Sequence, residues 1–147
     1  MAQNPPEGVQ HVAPYLSYSD APAAIDFLCR AFGFEERFRV PMPDGAIGHA
    51  ELGLGQSVLM LATAWEAAGM KSPRELPALH GQVHCFVDDV DAHYLRARDA
   101  GATIASQPED QFHGARMYRA VDLEGHRFMF ATQMRDVSLE ELTRPPA

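Results

Sequence analysis

Apolar positions along this chain alternate between a two-residue and a helical period, and the alternation occurs twice. Residues 12–19 read VAPYLSYS, a β-rich run with aromatics. Asp20 follows as a candidate N-cap, with Pro22 in the first turn, where its missing N–H costs nothing. Ala24, Ile25, Leu28, Ala31 and Phe32 then recur at spacings of three and four, and Gly33 ends the predicted helix. FEERFRV reads as a strand and PMPDGA as a turn. IGHAELGLG and SVLMLA read as two strands around Gly55-Gln56.

The second half repeats this order. QVHCFV predicts a strand, Asp89 caps a helix through DAHYLRARDA, and Gly101 stops it. ATIASQP predicts a strand and DQFHGA a turn. RMYRAVD and HRFMFATQ pair around LEGH. LMLAT at 59–63 and FMFAT at 128–132 lie 69 residues apart. The same offset carries Asp20 onto Asp89, Ala31 onto Ala100, and Gly45-Ala46 onto Gly114-Ala115. A constant offset through start, middle and end marks a duplicated supersecondary unit. The fold class is α+β: two tandem βαβββ modules whose curved mixed sheets form a cup. Module one covers about 10–63, a linker 64–80, module two about 81–133, and a polar, mobile tail 134–147.

The 147 residues suit a single domain able to bury its own core. No apolar run reaches the roughly 18 residues that span a bilayer. MAQNPPEG lacks the basic stretch and apolar core of a secretory signal, so a cytoplasmic protein is expected. Cys29 and Cys85 have no metal-motif spacing and read as two buried thiols. The net charge of −8 argues against nucleic acid and is compatible with a cationic ligand. Nucleophile elbow, P-loop, dinucleotide-binding glycines and HExxH are all absent.

The segments PYLSYSD, AFGFEE, PDGAIGHAEL, VDDVDA and VDLEGHRF resemble the vicinal oxygen chelate superfamily, which includes glyoxalase I, extradiol dioxygenases, and fosfomycin- and bleomycin-resistance proteins. AFGF and GHAEL look most like its PhnB-like branch. The resemblance covers roughly residues 11–133 and implies the glyoxalase/bleomycin-resistance fold. Metal-binding members hold an ion at four inward positions, and the resemblance places these at Ala13, Met60, Gln82 and Met129. None offers a hard anionic donor, and thioethers suit soft ions. No metal or other cofactor is expected. The resemblance then implies a metal-independent protein that binds a small planar or cationic molecule, as bleomycin-resistance proteins do.

Strand alternation from those four positions predicts the lining of the cup. Tyr15 and Ser17 join Ala13; Val58 joins Met60; His84 and Phe86 join Gln82; Arg127 and Ala131 join Met129. On the middle strands His49 and Glu51 are predicted to face the cup, as are Arg116, Tyr118 and Ala120, although Met117 and Val121 favour the opposite parity. Trp65 reads as a stacking lid or a dimer anchor. The ligand-binding set is therefore Tyr15, His49, Glu51, Met60, Trp65, His84, Phe86, Arg116, Tyr118 and Met129. His126 is expected to bond locally in its turn, and His113 to sit in a solvated loop. Open sheet edges predict a homodimer, with neither nucleic acid nor membrane as partner. Two other readings stand beside the binding protein. One is a metal-dependent lyase, isomerase or dioxygenase using a displaced set of His49, Glu51 and His84, a ligand type known for non-haem iron. The other is a metal-free enzyme with one of those groups as general base.

Overall fold

The computed structural model describes residues 2–147. Strands β1 (Tyr15–Tyr18), β2 (Glu35–Pro41), β3 (Ile47–Leu54) and β4 (Ser57–Thr63), with helix α1 (Ala21–Phe32), form the first unit. Strands β5 (Val83–Phe86), β6 (Thr103–Asp110), β7 (Ala115–Val121) and β8 (Arg127–Gln133), with α2 (Val90–Asp99), form the second. The two four-stranded sheets run β1-β4-β3-β2 and β5-β8-β7-β6. In each, the first strand pairs parallel with the last and the remaining pairs are antiparallel.

The duplication holds at the level of single hydrogen bonds. Asp20 accepts from the N–H of Ala23, and Asp89 from that of Ala92. Met42 donates to the Ala46 carbonyl as Gln111 does to Ala115. Both turns need a left-handed residue, supplied by Gly45 at φ 85° and Gly114 at φ 90°. Gly114 is also constrained by space, because a Cβ there would stand 2.6 Å from the Arg135 carbonyl oxygen.

The rest departs from expectation in small ways. β1 is only four residues, since Pro14 cannot donate to a ladder. The linker carries two 3₁₀ turns, Glu66–Ala68 and Pro73–Glu75. The tail is not wholly irregular: Leu139–Leu142 forms one helical turn (α3), closed by a capping box between Ser138 and Glu141.

α1 and α2 pack on each other, and the helix-side faces of both sheets share one core. Ala50, Leu52, Leu59 and Leu61 bury beneath α1, while Tyr118, Ala120, Phe128 and Phe130 bury in module two. Phe32 at the end of α1 reaches into the second module, with ring centroids 5.0 Å from Phe128 and 4.8 Å from Phe130. His93 of α2 bridges the units. Its Nε2 lies 2.7 Å from the Phe32 carbonyl oxygen and its Nδ1 2.6 Å from the Tyr118 hydroxyl. A carbonyl only accepts, so Nε2 carries the proton and Nδ1 accepts from Tyr118.

Burial holds His93 below the ordinary histidine value, helped by Arg96 and opposed by the bond to Phe32. The folded state therefore favours neutral His93. This contribution is complete above the ordinary value and is lost as pH falls below it. Chemical unfolding midpoints should drop as pH falls from neutrality through and below the ordinary histidine value. The drop should be smaller in His93→Gln, and equal slopes in the two proteins would disprove the assignment.

The second clasp is polar. The turn after β7 sends Asp122 and Glu124 into the first module. Tyr18 donates to Asp122 Oδ2 at 2.6 Å, and Asp122 Oδ1 accepts from three backbone N–H groups of its own turn. Glu124 accepts from the N–H groups of Ser19 and Asp20 at 2.6 and 2.8 Å and from the Ser72 hydroxyl of the linker.

Candidate functional site

Opposite the helices each sheet presents a second face, and backbone register decides what lies on it. Tyr15 stands opposite Met60, Met60 opposite Glu51, and Glu51 opposite Phe38. His49 lies two residues before Glu51 on the same face, opposite Val40. A bulge in β2 between Glu36 and Phe38 lets Arg37 turn toward this row.

The polar groups of the row are connected. Tyr15 Oη lies 2.7 Å from His49 Nδ1, His49 Nε2 lies 3.4 Å from Glu51 Oε1, and Arg37 lies 3.5 Å from Glu51 Oε2. An ionised carboxylate only accepts, so a proton on Nε2 faces Glu51 and leaves Nδ1 to accept from Tyr15. Glu51 is 8% exposed, whereas Tyr15 is 47% exposed. Partial burial raises the Tyr15 phenol above its ordinary value, which keeps it a donor. Phe38 flanks the imidazole, with centroids 5.7 Å apart.

In module two, His84 stands opposite Met129 and Met129 opposite Arg119; Phe86 stands opposite Ala131, and Ala131 opposite Met117. Ala115, Met117 and Ala131 close a small apolar cluster against Met129. His84 is held below its ordinary value by burial and then by His113.

Four predicted residues (Tyr15, His49, Glu51, Met60) thus gather on one sheet, and three (His84, Phe86, Met129) on the other. Three predicted orientations, all on β7, are wrong. Tyr118 opposes Phe130 and faces the helices, fully buried, and burial pushes its phenol far above the ordinary value. Arg116 lies on that same side, tied to Asp91 of α2 and Asp110 of β6. Ala120 follows them, opposite Phe128. Met117 and Val121 carried the correct parity. His126 does not bond only within its turn: its Nε2 donates to the Ser17 carbonyl at 2.8 Å, and its ring lies 4.7 Å from that of Tyr18. Trp65 is 70% exposed just beyond β4. Cys29 and Cys85 are free, and burial pushes the Cys85 thiol up to about 12.

Ala13 and Gln82 precede β1 and β5, so the residues opposite Met60 and Met129 are Tyr15 and His84. An alanine, a neutral amide and two thioethers do not fit a hard divalent ion. The displaced set is not assembled within one chain either. His84 sits on the other sheet against Phe86, and among the described residues no three His, Cys, Asp or Glu side chains are grouped to hold a metal.

Two cavities flank β1 and β5. One of about 440 Å³ is lined by Val12, Pro14, Val58, His84 and Phe86. The other, about 330 Å³, lies under the linker, lined by Tyr15, Met70, Lys71, Leu76, Leu79 and Arg127. A larger, more open groove of about 810 Å³ runs between the N-terminal segment and β2–β4; of the residues predicted to line the cup it contains Val58 alone, and none of the ligand-binding set.

A duplicated βαβββ chain with paired helices and two open sheet faces defines a class of protein. A family model described as the Glyoxalase/Bleomycin resistance protein/Dioxygenase superfamily matches residues 8–130, and the chain belongs to that superfamily. Proteins of Mycobacterium bovis and Mycobacterium tuberculosis are 37% identical to it over 134 residues, covering 89% of this chain and 88% and 79% of theirs. Among solved structures, TioX from Micromonospora sp. ML1 is 34% identical with a TM-score of 0.67, covering 85% of this chain and 99% of that one. The fosfomycin resistance protein FosX from Listeria monocytogenes, complexed with Mn(II) and sulfate, has a TM-score of 0.62 at 16% identity. It covers 90% of this chain and 96% of its own, a likeness of fold. Among the described residues no helix is long and apolar enough to cross a membrane.

Proposed function

We propose that this chain is a metal-independent small-molecule-binding protein of the PhnB-like branch, taking up a planar or cationic compound as a cytoplasmic homodimer. The observation that carries the reading is the row Tyr15–Met60–Glu51–Phe38, with a thioether where a hard ligand would be needed. Methionine and aromatic side chains give an adaptable surface for flat molecules, and Glu51 places a carboxylate behind them. The support for pairing is exposure. Tyr15, Phe38, Val40 and Phe86 are 47, 44, 45 and 65% exposed on the helix-free faces, apolar area that a second copy would cover.

One preparation tests these points together. Purified from metal-supplemented medium, the protein should sediment at twice 16.2 kDa and carry no stoichiometric metal. An aromatic cation should bind it and quench Trp65. Stoichiometric iron, nickel, manganese or zinc that disappears in His49→Ala or His84→Ala would overturn the binding reading. A 16.2 kDa species alone at micromolar concentration would overturn the dimer.

A further inference from the structure

The side chains of Tyr15, His49 and Glu51 are linked in the order phenol, imidazole, carboxylate, the order in which a reacting group, its base and the base's orienter are linked in proton-transfer sites. Tyr15 is the exposed end of this chain, and it also lines the 330 Å³ cavity under the linker. That cavity has apolar walls from Met70, Leu76 and Leu79. Its cations, Lys71 and Arg127, have no carboxylate partner among the described residues. The hydroxyl that leads to His49 and two cations without carboxylate partners therefore line one largely apolar cavity.

We propose that Tyr15, His49 and Glu51 form a proton relay that ionises a hydroxyl-bearing aromatic ligand bound under the linker, leaving its oxyanion beside Lys71 and Arg127. The ligand O–H bond breaks and its proton goes to Tyr15 Oη. The phenol's own proton passes to His49 Nδ1, 2.7 Å away. The ligand keeps the electron pair as an aryloxide. The imidazolium keeps its Nε2 proton toward Glu51, and Tyr15 ends as it began. Nothing is oxidised and no co-reactant is consumed. The groups facing the relay are Arg37 from β2, which shares Glu51, and Lys71, His80, His126 and Arg127 around the cavity. The Nε2 of His126 is already engaged by the Ser17 carbonyl.

Tyr15 touches the ligand; His49 and Glu51 act through it and are positioning residues. The ligand class follows from the site: a flat apolar ring to fill the cavity, one ionisable hydroxyl to meet Tyr15, and an anion matched to two cations. This inference rests on the small-molecule-binding reading and adds a chemical event to it.

The probe is p-nitrophenol, whose phenolate has its own visible absorption band, titrated against pH with and without the full-length protein. Binding is read separately by equilibrium dialysis. The midpoint of the bound probe should fall by about one pH unit, a tenfold change in its ionisation constant. Tyr15→Phe and His49→Gln should each remove most of that shift, leaving only what Lys71 and Arg127 contribute, and Lys71→Ala combined with either should return the midpoint close to that of the free probe. A merely structural role for His49 would change affinity, read by dialysis, without moving the midpoint of the probe that still binds. Binding with an unshifted midpoint, or a shift undiminished in Tyr15→Phe, overturns the relay and leaves the binding reading standing. Failure of the probe to bind at any pH overturns the relay at this cavity, while aromatic-cation binding decides the broader reading.

Discussion

Replacing Glu124 by alanine should cost the protein about 3–5 kcal/mol, the sum expected when several buried donors lose one shared charged acceptor. The residue is 2% exposed. Its two oxygens serve the N–H groups of Ser19 and Asp20 and the Ser72 hydroxyl. These donors come from the strand-to-helix corner of module one and from the linker, so the variant loosens three segments together. Burial opposes the charge on Glu124, and the bonds from Ser72, Asp20 and Ser19, with Arg74 nearby, outweigh it and hold the carboxyl below its ordinary value. Its contribution is therefore present above the ordinary glutamate value and is lost as pH falls through the depressed one. At neutral pH the thermal midpoint should fall by about 10 °C, given roughly 2–4 °C per kcal/mol in a domain of this size. Glu124→Gln retains one carbonyl oxygen and should lie between. Circular dichroism melts showing Glu124→Ala within a degree or so of the parent would refute this account.

Phe32→Ala should be about as damaging, at roughly 3–5 kcal/mol, the usual cost of truncating a buried aromatic. Phe32 is fully buried and meets Phe27, Phe128 and Phe130 from both modules. Its removal leaves a void between units that the helix backbone cannot fill, because the Phe32 carbonyl is fixed by His93. Phe32→Leu keeps most of the volume and should cost less than half as much. Phe86→Ala, 65% exposed in the isolated chain, serves as the control and should stay within about 0.5 kcal/mol in a monomeric preparation. Urea unfolding with unchanged slope would register these differences. Equal losses for Phe32→Ala and Phe86→Ala would refute the assignment of Phe32 to the inter-module core.

Most of the fold was legible because repetition constrains it. The 69-residue offset carries Tyr15 onto His84 and Met60 onto Met129, and the structure pairs each set across the same parallel ladder. Half of the face assignments followed from anchored strands. β7 had no anchor, and its sequence ARMYRAV places apolar residues at both parities, so alternation alone could not orient it. Packing decided for Tyr118, because His93 offers its hydroxyl a buried partner. β2 was equally unreadable: its bulge breaks the two-residue period and brings Arg37 beside Glu51. The roles of Asp122 and Glu124 were hidden for a different reason. DLEGH reads as a surface turn, and nothing local shows that its carboxylates bond to residues 104 and 105 positions away.

Among the described residues that polar clasp exists on one side only. The offset carries Asp122 and Glu124 back onto Gly53 and Gly55, which have no side chains to offer. The first unit thus borrows its corner from the second, and nothing of the kind is lent in return. A ribosome makes the borrower first. Tyr18, Ser19 and Asp20 must wait for residues 122 and 124, about a hundred residues further along the chain. Vectorial folding from the N-terminus therefore cannot finish module one ahead of module two. The two units are obliged to mature together, once the second has been made. A nascent chain stalled before residue 122 should remain open to protease at the β1–α1 corner.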